Sequence, residues 1–155
     1  MPQLNQIPKN LVKGHHFTER SRGTLRSPRV VLLLHPTFKL MSHPLPGEMS
    51  HVIVVEFPNS RLNGWAAFAG ALNLTSKEYM SAEVSDEALA LYKRIEWNGN
   101  NGWADEWGKR DAIRDLDELK RMGELDIGLL RGYMLSKKSH IAIDRLIKLA
   151  VHLTQ

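Results

Sequence analysis

From Val30 onward the apolar positions of this chain fall into two regimes, first of strand period and then of helical period. "RVVLLLHPTFKLM" and "HVIVVEF" are β-branched and aliphatic runs of strand length, separated by the turn-rich "SHPLPGEMS". They predict a β-hairpin. A turn centred on Leu45-Pro46 places His35 near Glu56, and Pro36 requires a bulge or an edge in the first strand. After "PNSRLNG", Trp65, Phe68, Ala69 and Leu72 recur at i, i+3, i+4 and i+7, one face of a helix. Thr75 with Glu78 makes a capping box, and Leu74 with Tyr79 a hydrophobic staple, so a second helix is expected from Ser76. Ser85 followed by Asp86 and Glu87 opens another, with a face of Ala88, Leu91, Tyr92 and Ile95. Ala112, Ile113, Leu116, Leu119 and Met122 mark a further helix, closed by Gly123. Leu125 to Met134 and Ile141 to Leu153 supply two more, the last broadly apolar and therefore expected to be buried. The predicted fold class is α+β: an irregular N-terminal arm, a β-hairpin, then five or six packed helices.

Residues 1–29 stand outside this pattern. They carry Pro2, Pro8, Pro28, Gly14 and Gly23 without sustained periodicity and read as an irregular arm. Residues 30–155 read as a single domain, a size sufficient for one core. Charge sharpens the division. Lys9, Lys13, Arg20, Arg22, Arg26 and Arg29 face Glu19 alone in the arm, whereas the other 126 residues hold 15 basic and 16 acidic groups. A cationic segment with Pro and Gly spacers suits the phosphates of a nucleic acid or an acidic protein surface.

The chain has no cysteine, which removes disulfides and thiolate metal sites and fits a reducing, cytoplasmic setting. Its longest apolar run, Val30 to Leu34, is far below the ~20 residues of a membrane span, so no membrane partner is expected. No cofactor is expected either, because no phosphate loop or nucleophile elbow is present. Seven histidines lack HxxxH or HExxH spacing, so no metal site is expected from them. Asp105, Glu106, Asp111, Asp115, Asp117 and Glu118 are spaced as a solvated helix face, with Asp117 and Arg121 an i, i+4 pair.

"EWNGNNGWADEW", residues 96–107, concentrates three of the four tryptophans on turn-forming Asn and Gly. One reading makes the indoles clamps that hold a long helix–helix connection to the core. The other makes them a platform: with Asn100, Asn101, Asp105 and Glu106 they would stack a base or sugar ring, or anchor a protein partner. The expected division assigns Trp107 to the clamp and leaves Trp103, with Trp97, as the exposed rings of the Trp97–Trp107 loop.

Residues 65–83, "FAGALNLTSKEY" at their centre, resemble a helix-turn-helix, with Ala69, Asn73 and Tyr79 near its small, turn and apolar positions. That resemblance implies a second helix in a DNA groove. Lys77 is offset there by Glu78 and Glu83, which suits a phosphate-lined groove badly, and two core helices joined by a capped turn is the preferred reading. His16-Phe17-Thr18 and His152-Leu153-Thr154 repeat the His-x-Thr of two-histidine phosphoesterases, but one lies in the arm and the other at a helix end. The resulting expectation is a non-enzymatic binding or assembly protein. Its site residues are Lys9, Lys13, Arg20, Arg22, Arg26, Arg29, Trp97 and Trp103. The alternative is a small phosphodiesterase or other hydrolase, in which His16 or His35 acts with a carboxylate such as Glu56.

Overall fold

The structure, a computed structural model, describes residues 30–42, 51–56, 62–135 and 137–154. Its fold is α+β. In chain order it has β1 (Val30–Leu34), α1 (Phe38–Met41), β2 (His51–Val55), α2 (Asn63–Phe68), β3 (Leu72–Asn73), β4 (Glu78–Tyr79), α3 (Asp86–Asn98), α4 (Glu106–Arg121), α5 (Ile127–Met134) and α6 (His140–Thr154).

The first two strands form no hairpin. β1 and β2 pair in parallel, Val30 with His51 through Leu34 with Val55. A parallel pair needs a connection of a dozen or more residues, and enough chain separates β1 from β2 for that, α1 included. α1 begins where Thr37 Oγ1 accepts from the Leu40 N–H at 3.2 Å. The period-2 pattern is the same for either sense of pairing, so composition alone did not distinguish them. The His35 N–H donates to the Val55 carbonyl at 2.7 Å, so the parallel register also brings His35 alongside Glu56. Leu33 and Val54 pack on the core, whereas Val30, Leu32, Ile53 and Val55 are exposed.

A second correction falls at residues 69–80. α2 ends at Phe68, and Leu72 belongs to β3, paired antiparallel with Tyr79 of β4. No helix begins at Ser76. The Asn73 side chain accepts from the Thr75 and Ser76 N–H groups at 2.9 and 3.3 Å, an Asx-type turn, and Lys77 completes the reversal at φ 62°. Thr75 is thus a turn residue, and the helix-turn-helix resemblance lacks its second helix.

The four later helices form where expected, but Ile113 and Met122 of the predicted α4 face, and Ile141 and Val151 of the last helix, are exposed. Ser85 Oγ accepts from the Ala88 N–H at 3.1 Å, and Ala88, Leu91, Tyr92 and Ile95 of α3 are buried. The Ser85 N–H also donates to Glu124 at 2.9 Å, and that hydrogen bond holds the Glu124 carboxyl below its usual range. α4 buries Ala112, Leu116 and Leu119. α6 buries Ala142, Ile143, Leu146, Ile147 and Ala150. Phe68, Tyr92 and Tyr133 join α2, α3 and α5; the Phe68–Tyr133 pair is edge-on at 5.2 Å and Tyr92–Tyr133 is tilted at 5.5 Å. Burial, followed by the charges of Asp126 and Glu124, pushes the Tyr92 phenol up.

Asp115 departs from the solvated face expected for the α4 carboxylates. It is fully buried, where Arg94 Nε and Nη2 both donate to it at 2.8 Å and Arg114 Nε donates at 3.2 Å. A bidentate guanidinium supplies the charge and hydrogen bonds that a buried carboxylate requires. Arg121 pairs with Glu118 rather than Asp117. α2 meets α5 through glycine: a Cβ on Gly132 would fall within 2.7 Å of the Gly64 Cα, and Gly64 faces the Gly128 backbone in the same way.

Candidate functional site

The tryptophan segment joins the end of α3 to the start of α4, and its conformation sorts the three indoles. α3 stops at Gly99, whose N–H returns to the Ile95 and Glu96 carbonyls. Gly102 and Trp103 then adopt φ 69° and 55° in succession. A left-handed tryptophan costs roughly 1–2 kcal/mol of backbone strain. Burying its ring offsets that, since an aromatic side chain carries about 150–250 Å² of mostly apolar surface. Trp103 is fully buried beneath Gly99, so close that a Cβ there would overlap the ring. Gly102 rests on Ala142 of α6, and Lys138 donates to the Gly99 carbonyl at 3.1 Å.

Trp103 is therefore the clamp, and its expected place as an exposed contact ring is corrected. Trp107 is corrected in the opposite direction. It is 72% exposed and Trp97 is 76% exposed. Trp103 lies outside the helix, which begins at Glu106, so the i, i+4 relation between Trp103 and Trp107 does not exist. The position of Trp107 was nonetheless readable. Nine residues separate it from Leu116, two and a half turns, which sets the two on opposite sides of α4.

Trp97 and Trp107 flank an open cleft of about 440 Å³, lined also by Asn98, Asn100, Asn101, Asp105, Gly108 and Asp111. Asp105 is the N-cap of α4. Its Oδ1 accepts from the Gly108 N–H at 2.6 Å and its Oδ2 from the Asn101 amide. Asp111 pairs with Arg114 at 3.4 Å. Arg110 lies over the Trp107 ring, 4.2 Å from its centroid, and steadies an otherwise exposed indole. Behind Trp97, Glu96 accepts from the Tyr133 hydroxyl at 2.9 Å and from Lys137 at 3.3 Å, tying the end of α3 to α5. The Tyr133 phenol is pushed up, chiefly by burial. Both walls of the cleft are thus anchored by hydrogen bonds and capping.

The expected arm residues Lys9, Lys13, Arg20, Arg22, Arg26 and Arg29 lie outside the described residues, as does His16. The structure brings Trp97 together with Trp107 rather than with Trp103. Asn98 and Asp111 were missed, although both sit one helical turn or less from an exposed tryptophan. The Glu56 carboxylate accepts from the Leu62 N–H at 3.1 Å, so it serves the backbone that leads into α2. Among the described residues no group of three His, Asp or Glu side chains could hold a metal. No helix among them is long and apolar enough to cross a membrane. Comparison of the chain with family models, curated proteins and solved structures finds no match.

Proposed function

We propose that this chain is a non-enzymatic binding or assembly protein that meets its partner through the Trp97–Trp107 cleft. The observation that carries the reading is the pair of exposed indoles that line one cleft. Large aromatic surface is costly to hydrate, and exposed tryptophans on anchored walls are the residue type that dominates contact energies. In the same reading Lys9, Lys13, Arg20, Arg22, Arg26 and Arg29 contact a nucleic acid or the acidic surface of a protein, in a cytoplasmic setting compatible with the absence of cysteine.

Two experiments test the two halves. A benzophenone amino acid at position 97 or 107 inserts into nearby C–H bonds of any bound partner. Irradiation in the cells of origin should give one defined adduct at both positions and none at Lys148, an exposed position on α6. Equal labelling at all three positions would refute the docking site. For the basic segment, replacing its six cations by Gln should flatten the salt dependence of binding to duplex DNA. Six phosphate contacts correspond to a log–log slope of about −5. An unchanged slope would place any polyanion contact elsewhere.

A further inference from the structure

We infer that the Trp97–Trp107 cleft takes a neutral carbohydrate. The inference rests on the docking role just proposed and gives that site a ligand class. Three features of the lining carry it: two exposed indole rings, three side-chain amides within four residues, and carboxylates already engaged by hydrogen bonds or an ion pair.

A pyranose presents a face of C–H bonds and a rim of hydroxyls. The C–H face packs on an indole, which offers a flat, polarisable apolar surface of matching size. Each hydroxyl both donates and accepts, so its natural partner is a group that does the same. The amides of Asn98, Asn100 and Asn101 have both donors and acceptors. The volume of about 440 Å³ falls within the range of roughly 300–1,000 Å³ common for small-ligand sites.

Charge separates this ligand from its rivals. Among the described residues no lysine or arginine lines the cleft, whereas Asp105 and Asp111 do, so a phosphate backbone would meet repulsion there. A cationic peptide gains little in exchange. Asp105 is engaged by the Gly108 N–H and the Asn101 amide, and Asp111 by Arg114. A neutral polyhydroxyl ligand needs neither sign of charge, and the lining answers to that description.

The test uses the full-length chain, an array of neutral glycans, and the indole N–H resonances of the four tryptophans assigned by single Trp→Phe changes. A neutral oligosaccharide from the array should shift the Trp97 and Trp107 resonances saturably and leave that of Trp103 in place. Trp97→Ala and Trp107→Ala should each weaken its binding by about ten-fold or more, the scale of one lost stacking contact. Asn100→Ala should weaken it while leaving the urea midpoint unchanged. The inference is overturned if no neutral glycan binds, or if binding is indifferent to Trp97 and Trp107. If neutral glycans fail while crosslinking from positions 97 and 107 still yields one protein adduct, the carbohydrate falls and the docking site stands. If that adduct is missing as well, both fall.

Discussion

Gly132→Ala sets two effects of opposite sign against each other, and the structure decides between them. Gly132 lies inside α5, where alanine is ordinarily the better residue by about 1 kcal/mol. Propensity alone predicts a stabilised protein. The added methyl, however, would overlap the Gly64 carbonyl carbon and the Trp65 nitrogen and come within 2.7 Å of the Gly64 Cα. These are backbone atoms, so no side-chain rotation relieves the overlap, and α2 must move away from α5. Phe68 moves with it and loses its edge-on contact with Tyr133. Overpacking of this kind costs roughly 1–3 kcal/mol, and rigid backbone on both sides places it at the upper end. Subtracting the helix gain leaves a net loss of about 1–2 kcal/mol. With a urea m-value of about 2 kcal/mol/M, the midpoint should fall by about 0.5–1 M. Gly128→Ala is the control, since among the described residues its methyl would meet only Asp126 Oδ1 at 3.2 Å, and its midpoint should not fall. A Gly132→Ala midpoint equal to or above that of the unmodified chain would refute the close crossing of α2 and α5.

The turn between β3 and β4 and the contact between Ser85 and Glu124 give two further expectations. Asn73→Ala removes the acceptor for two N–H groups and should lower stability by about 0.5–1 kcal/mol, whereas Thr75→Ala should stay within about 0.5 kcal/mol, both read by urea melts. A larger loss at Thr75 would restore the capped helix. Glu124 has a carboxyl pKa below its ordinary 4.5, so its stabilisation is present above that value and disappears as pH falls through the lower folded-state pKa. Glu124→Gln should therefore lower the urea midpoint at neutral pH, and the gap from the unmodified chain should close as the pH falls through the lowered folded-state pKa. A gap that persists unchanged in acid would show that the Glu124 charge contributes nothing.

The helical half of the fold was legible because its signals are local. Ser85 caps α3 with its own hydroxyl, and the 3.6-residue spacing of Leu91, Tyr92 and Ile95 identifies a buried face without reference to distant chain. Strand pairing is not local in this sense. Alternation in "HVIVVEF" is compatible with a neighbour running either way, and the parallel sense is visible only in the pairing of Val30 with His51 through Leu34 with Val55. At residues 73–79 two local signals competed. Thr75 with Glu78 spells a capping box, but the Asn73 side chain accepts from the Thr75 N–H that Glu78 would have taken, and from the Ser76 N–H, and so closes a turn. The site was half legible for a related reason. Opposition to Leu116 places Trp107 outward by helix geometry alone. The burial of Trp103 depends on two successive left-handed residues and on Ala142, more than thirty positions away. Asp115 reads as one acid among many until Arg94, on the neighbouring helix, is seen to enclose it.

Trp103 is buried in the fold, whereas Trp97 and Trp107 are exposed, as the proposed docking site requires. Urea unfolding of three single Trp→Ala variants tests this division most directly. Emptying the buried Trp103 site should cost about 3–5 kcal/mol. Trp97→Ala should stay within about 0.5 kcal/mol, as exposed positions do, and Trp107→Ala within about 1 kcal/mol, since it loses only the stacking of Arg110. A loss at Trp97 or Trp107 as large as that at Trp103 would contradict the claim, because both rings would then be structural and the cleft between them would have no exposed walls.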